Sequence, residues 1–235
     1  MNTPQINGNR LISALPASEQ RRFLSRAQSI SLSFEQVLHA HDEAVEFVYF
    51  PTTAFISELV LTEPLECIEV RLVGHEGMLG LNVLLGDKRA PFHAVVQGSG
   101  EALRVGRKDF LRVLKQAPKL DSLLQRYTFV VLKQIAQNVA CTQFHKIEAR
   151  LARWLLMTQD RAESEHFSMT QEFLSHMLGA SRVGITHAAS LLKNQKLIHY
   201  VRGQMHILDR KGLQLISCSC YDADLQNYQV HMHKS

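Results

Sequence analysis

Thr170-Gln-Glu-Phe-Leu-Ser-His-Met-Leu-Gly-Ala-Ser-Arg-Val-Gly-Ile-Thr-His-Ala-Ala-Ser-Leu-Leu-Lys193 reads as two short amphipathic helices hinged at Gly179. The Thr170 hydroxyl is placed to accept from a free backbone N–H of the first turn, and Glu172 sits near the positive end of the helix dipole. Phe173, Leu174, Met177 and Leu178 recur at helical spacing and make one apolar face. Gly179 stands where a chain leaving a helix turns left-handed at no Cβ cost. Ser181 caps the next helix, in which Ile185, Ala188, Ala189 and Leu192 face inward. Arg182, Thr186, His187, Ser190 and Lys193 are left along the opposite side. Hydrogen-bonding side chains on the outer stripe of the second helix are the layout of a DNA-reading helix-turn-helix. An ordinary helical hairpin would share the glycine turn and the small alanines at the crossing.

Charge favours the first reading. Between Thr170 and Lys211 stand six basic residues (Arg182, Lys193, Lys196, Arg202, Arg210, Lys211) against two acidic ones (Glu172, Asp209), a net of +4. The whole chain is also +4. The excess positive charge therefore lies where a phosphate backbone would be met. Leu197–Val201 and Gln204–Leu208 follow as two strand-like runs joined by Arg202-Gly203, a tight hairpin that would make the segment a winged module. Arg202 at its tip would reach a phosphate, although exposed turn arginines are also common without a partner.

At 235 residues and 46% hydrophobic, the chain is expected to be globular and to hold two domains. The N-terminal segment, residues 1–10, has no apolar h-region, and no run approaches the ~18 apolar residues of a membrane span. A cytoplasmic protein with no membrane partner is expected. Cys67, Cys141, Cys218 and Cys220 are too few and too scattered for a disulfide framework. Cys218-Ser-Cys220, with His231 and His233 nearby, raises metal or redox switching. Two thiols one residue apart lack the usual Cys-x2–4-Cys zinc spacing, so no metal ligand and no cofactor is expected. His39-Ala-His41 would put two imidazoles on one strand face with no third ligand. His75, beside Gly74, is a haem candidate whose plainer reading is a surface histidine. There is no phosphate-cradling glycine loop, no Gly-x-Ser-x-Gly, no His-Glu-x-x-His and no convincing carboxylate pair, so an enzyme is not expected.

Residues 10–27 read as a short helical lead-in. Strand-like runs then follow at Ser29–Leu32, Glu46–Phe50, Ala54–Leu61, Cys67–Val73, His93–Gln97 and Ala102–Val105, separated by turn residues, which suggests a small antiparallel barrel or roll. After Pro118 the spacing of Leu120, Leu123, Leu124, Tyr127, Val131, Ile135 and Val139 predicts a long helix running with few breakers to about Arg161. So long a helix carries more apolar surface than one small barrel covers, and pairing with a symmetry mate through Leu120, Leu124, Tyr127 and Val131 would bury the rest.

Roll, long helix and winged helix-turn-helix in this order resemble the catabolite-activator/Fnr (Crp/Fnr) superfamily of bacterial transcription regulators, from about Leu11 to Cys220. The similarity is carried by Thr170-Gln-Glu, Leu178-Gly-Ala-Ser-Arg182, Leu197-Ile198, Val48-Tyr-Phe-Pro51, Gly77-Met-Leu-Gly-Leu81 and Arg89. The resemblance implies an α+β chain: an N-terminal cyclic-nucleotide-binding-like β-roll (a jelly-roll barrel) over 1–117, a dimerisation helix over 118–147 and a C-terminal winged helix-turn-helix over 148–235. It implies a homodimer binding an inverted repeat in double-stranded DNA, with RNA polymerase and a small effector as further partners. The family's leading base-reading arginine falls on Arg182, which could bond guanine O6 and N7 together. The second reading position falls on His187, and Val183 replaces the frequent glutamate, exchanging acceptance from cytosine for apolar contact. Ser181, Thr186, Gln171 and Lys193 complete the DNA-facing set, the serine, glutamine and lysine on phosphates.

The ligand site departs from the family pattern. Cyclic-nucleotide-binding members carry a glutamate in the Gly-x-x-Gly-Leu turn and an Arg-Ser pair for the phosphate. Here the turn holds Met78 before Gly80 and Leu81, and the pair is Arg89-Ala90. Methionine accepts no ribose hydroxyl proton and alanine offers no hydroxyl, so gating by cyclic AMP is not expected. Arg89 itself reads as a solvated residue of the Asp87-Lys-Arg turn. Iron–sulfur sensing of the Fnr kind would need clustered N-terminal cysteines, and only Cys67 lies in the first half. Two other functions stay open: a ligand-binding β-roll protein whose C-terminal domain contacts protein, and a haem- or redox-sensing regulator.

Overall fold

A computed structural model describes residues 8–63, 66–162 and 164–232. The chain divides into two compact units: 1–58 with 72–129, and 59–71 with 130–235.

The first unit opens with α1 (Arg10–Ser13) and α2 (Ala17–Leu24), so the expected lead-in is two short helices. Pro16 is the N-cap of the second, a residue that cannot continue the first helix. The roll follows: β1 (Gln28–Leu32), β2 (Val37–His39), β3 (Phe47–Pro51), β4 (Phe55–Glu63), β5 (Glu66–Val73), α3 (Leu81–Leu84), β6 (His93–Gly98) and β7 (Gly100–Gly106). One sheet has the order β1-β7-β3, antiparallel throughout, with Ile30 opposite Ala102 and Val48 opposite Val105. The other has the order β2-β6-β4-β5. Leu32, Tyr49, Ala54, Ile56, Val73, Leu79, Ala94, Val96 and Ala102 make the core between them. Six strands fall on the strand-like runs of the sequence. The seventh, β2, has no such signal, because its three residues are too short for a period of two to show.

After the roll come α4 (Arg107–Gln116), α5 (Pro118–Phe144) and α6 (Ile147–Ala162). The expected helix to about Arg161 is therefore interrupted at His145-Lys146. No proline or glycine marks this break. α5 closes with His145 N–H on the Cys141 carbonyl at 3.1 Å, and α6 reopens with Arg150 N–H on the Lys146 carbonyl at 3.1 Å.

The second unit continues with β8 (His166–Ser168), α7 (Gln171–Leu178), α8 (Arg182–Asn194), β9 (Ile198–Val201), β10 (Gln204–Ile207), α9 (Arg210–Ile216) and α10 (Cys220–Met232). Its sheet has the order β8-β10-β9, so the expected hairpin gains a third strand. α8 packs on α6 and α7, and α6 also carries α9 and α10. Among the described residues, no helix is long and apolar enough to cross a membrane.

Candidate nucleic-acid interface

Local capping builds the helix-turn-helix as its sequence foretells. Thr170 Oγ1 accepts from the Phe173 N–H and Ser181 Oγ from the Gly184 N–H, both at 3.1 Å, each satisfying a donor that the first turn leaves without an intrahelical partner. Gly179 is left-handed at φ 54°, and a Cβ there would stand 2.9 Å from Ile68 Cδ1, so both backbone and space require glycine. Leu174, Met177 and Leu178 of α7 are buried, as are Ile185, Ala188, Ala189 and Leu192 of α8. Arg150 Nη2 donates to the Leu178 carbonyl, covering an acceptor that α7 leaves open at its C-terminus.

The outer stripe of α8 is exposed throughout: Arg182, Val183, Thr186, His187, Ser190 and Lys193. Val183, at 80% exposure, is a large apolar side chain turned into solvent at the start of the helix. Arg182 pairs with Glu172 across the turn, which holds the guanidinium beside the helix start. The Thr186 hydroxyl lies 2.9 Å from Gln171 Oε1 and donates to the Arg182 carbonyl at 2.8 Å. His187 Nδ1 is 3.6 Å from Glu148 Oε1. Gln171 and Ser181 are also exposed, so every residue expected at the DNA face is on the surface, and the first helix supplies partners to the second.

The wing turn is a two-residue loop with Arg202 at φ 49° and Gly203 at φ 78°, the pair of left-handed conformations that suits the twist of a hairpin. Val201 faces Gln204 across it, and Arg202 is exposed at the tip. Two residues that sequence reading missed, Met169 and Tyr200, tie the wing to the segment that leads into α7. Met169 N–H donates to the Gly203 carbonyl at 2.7 Å, and the Tyr200 hydroxyl donates to the Met169 carbonyl at 3.0 Å.

One of the six basic residues is turned to another task. Arg210 donates to Gln159 Oε1 at 2.6 Å, to Asp160 Oδ1 at 2.7 Å and to the Tyr221 hydroxyl at 2.7 Å. The Tyr221 hydroxyl donates in turn to Asp160 Oδ2 at 2.8 Å; burial first, and then Asp160, push Tyr221 up to about 12. Arg210 therefore cross-links α6, α9 and α10, and the exposed positive charge of this segment is carried by Lys193, Lys196, Arg202 and Lys211, together with Arg182.

In the roll, the residues expected to mark a remnant ligand pocket are spent on packing. Met78 is fully buried and Ala90 is 2% exposed. Gly80 is left-handed at φ 98° and a Cβ on it would stand 2.8 Å from Val48 Cγ1, while one on Gly77 would collide with the Tyr127 hydroxyl. Leu81 opens α3 and is buried. Arg89 is not merely solvated. Its Nη1 donates to the Asp42 carbonyl at 2.6 Å and lies 3.3 Å from Asp42 Oδ2, holding the loop before β3.

The four residues expected at a dimer seam are also corrected. Leu120, Leu124, Tyr127 and Val131 are buried within the chain itself. The large exposed apolar residues of α5 are Phe129, Leu132, Val139 and Phe144, because the apolar spacing of this helix runs on two faces and packing chose which to cover.

The histidine candidates separate. His39 is buried, its ring 2.9 Å from the Phe47 carbonyl, with burial lowering its pKa, whereas His41 is exposed. His75 is buried, not at the surface. His233 lies outside the described residues. A grouping not expected from the sequence brings Cys141 of α5 and His145, just past its end, to Cys218 and Cys220. The missed signal is the i, i+4 spacing of Cys141 and His145, which places both on one helix face.

Residues 149–216 match the Crp-like helix-turn-helix domain family. No curated protein sequence matches the chain significantly. Among solved structures it is similar to FixK2 from Bradyrhizobium japonicum, at 17% identity and TM-score 0.69 over 82% of this chain and 98% of that one. A protein assigned to the Crp/Fnr transcriptional regulators of Eubacterium rectale gives 13% identity and TM-score 0.69 over 88% and 97%. The c-di-GMP-responsive global regulator CLP of Xanthomonas campestris gives 12% identity and TM-score 0.68 over 82% and 99%. Residues 149–216 are thus a Crp-like helix-turn-helix domain, carried on a chain with the fold of the Crp/Fnr transcription regulators.

Proposed function

We propose that this chain is a homodimeric, sequence-specific transcription regulator that reads an inverted-repeat operator through α8 and works without cyclic AMP. The observation that carries this reading is the outer stripe of α8: polar side chains headed by Arg182, exposed from end to end, flanked by Lys193, Lys196, Arg202 and Lys211. A positively charged, hydrogen-bonding helix beside a basic wing suits a major groove and its phosphates.

A dimer is supported by α5. Gln125, Phe129, Leu132, Ala136, Val139 and Gln143 are all exposed, and their spacing alternates between four and three residues, the repeat of a two-helix seam. A second copy of the same stripe across a two-fold axis would cover it. Independence from cyclic nucleotide rests on Met78 and Ala90, which offer no acceptor to a ribose hydroxyl and no donor to a phosphate.

Two recognition helices related by a two-fold axis meet successive major grooves about 34 Å apart. Inserting half a helical turn between the half-sites of an operator selected from random DNA should abolish tight binding, measured by gel shift, and a full turn should restore part of it. Unchanged affinity after the half-turn insertion would remove the two-fold reading.

A further inference from the structure

Four side chains of the second unit converge where the end of α5 meets the turn into α10. Cys141 lies in the last turn of α5 and His145 directly after the helix, its N–H on the Cys141 carbonyl; Cys218 and Cys220 flank Ser219. Their ligating atoms all lie within 4.8 Å of one another. Cys141 Sγ is 3.5 Å from Cys218 Sγ, and Cys220 Sγ is 3.4 Å from His145 Nδ1. All three cysteines are buried. A tetrahedral ion with bonds of about 2.3 Å to sulfur and about 2.0 Å to nitrogen requires sulfur–sulfur edges of roughly 3.8 Å and sulfur–nitrogen edges of roughly 3.5 Å. We propose that Cys141, His145, Cys218 and Cys220 form a Cys3His site for a single tetrahedral divalent ion of the zinc class.

The donor set selects the ion. Three thiolates and an imidazole suit a borderline-soft ion and not the hard cations that take oxygen ligands. A spread of 4.8 Å has room for one ion at its centre and not for a cluster of several irons with bridging sulfides. With all four positions supplied by the chain, the site is closed to substrate, as structural zinc sites are. A disulfide is not what the geometry shows, since 3.5 Å far exceeds a sulfur–sulfur bond of about 2.05 Å.

The surroundings fit such a centre. Three thiolates around a divalent ion leave one net negative charge. Arg153, attracted to Cys141, and Arg150, attracted to Cys141 and Cys218, stand to offset it. Gln137 Nε2 donates to Cys220 Sγ at 3.0 Å, the kind of outer hydrogen bond that orients a ligand. On binding, each thiol gives up its proton to solvent and the sulfur lone pair becomes the metal bond. The ion would then join the long helix to a segment 77 residues away. It would reinforce a junction already held by the buried Arg153–Asp224 pair and by Asn227 Nδ2 on the Val130 carbonyl at 3.1 Å.

The test uses the full-length chain purified with reductant and without chelator. Elemental analysis should find close to one zinc per chain. Co2+ added to chelator-stripped protein should develop visible bands of a tetrahedral ion and near-ultraviolet thiolate charge-transfer bands, saturating at one equivalent and bleached by zinc. Stripping should lower the melting temperature and zinc should restore it. Cys67→Ser, outside the cluster, should keep the full spectrum. Cys218→Ser should lose charge-transfer intensity and bind Co2+ more than about a hundredfold more weakly, beyond the roughly 10–100-fold that loss of a hydrogen bond to a ligand costs. His145→Ala should shift the visible bands. If these variants do not fold, the wild-type titration decides alone. A weak octahedral Co2+ spectrum, a stoichiometry far below one, or a Cys141–Cys218 disulfide in the freshly purified protein overturns the site, as does an unaltered spectrum in Cys218→Ser.

Discussion

Arg182 is where the proposed base readout can be separated from simple attraction to phosphate. Held by Glu172, its guanidinium waits at the N-terminal turn of α8, where a major-groove base edge would lie in the proposed complex. Replacing Arg182 by Ala should remove a bidentate base contact worth about 1–3 kcal/mol and relax preference at one operator position per half-site. Arg202, at the wing tip, has only phosphate within its expected reach. Arg202→Ala should weaken operator and scrambled DNA alike and lower the salt slope by roughly one unit for each phosphate it no longer neutralises. Binding to both DNAs over a salt series reads both effects. Equal losses on the two DNAs for Arg182→Ala would make that arginine a phosphate clamp and leave base reading to His187 and its neighbours. Arg182 and Arg202 were legible because capping and turn chemistry are local, whereas the pairing of Arg210 with Asp160 depends on α6 and α9 meeting and has no sequence signature.

Among the elements, α5 is the one whose existence is plain in the sequence and whose orientation is not. Its apolar residues recur at three and four on more than one face, so periodicity shows a long helix but leaves open which stripe is inside. The chain buries Leu120, Leu124, Tyr127 and Val131 and leaves Leu132 at 63% exposure. Two substitutions should therefore part company. Leu132→Asp should leave the monomer folded, with its thermal stability nearly unchanged, while light scattering reports loss of the dimer and DNA affinity falls with it. Leu124→Asp should unfold or strongly destabilise the monomer, because an unpaired charge is costly to bury. A Leu132→Asp protein that stays dimeric would place the seam elsewhere.

For the whole molecule, the question is whether the roll needs a nucleotide before the second unit binds DNA. With Met78 and Ala90 filling the places of polar contacts, cyclic AMP and cyclic GMP should show no binding heat at physiological concentrations, and operator affinity should be the same with and without them. A micromolar dissociation constant by calorimetry for either would overturn this. The sequence by itself determined the order of roll, long helix and winged module, the caps at Thr170 and Ser181, the left-handed Gly179 and the exposed stripe of α8. All of these follow from interactions within a few residues, where backbone sterics and helical spacing act directly. Only the tertiary structure decided which face of α5 is covered, that Arg210 is drawn to Asp160, and that Cys141 and His145 meet Cys218 and Cys220 across 77 residues. Those outcomes depend on how separate helices pack against one another, and that packing is a property of the assembled core, not of any window of sequence.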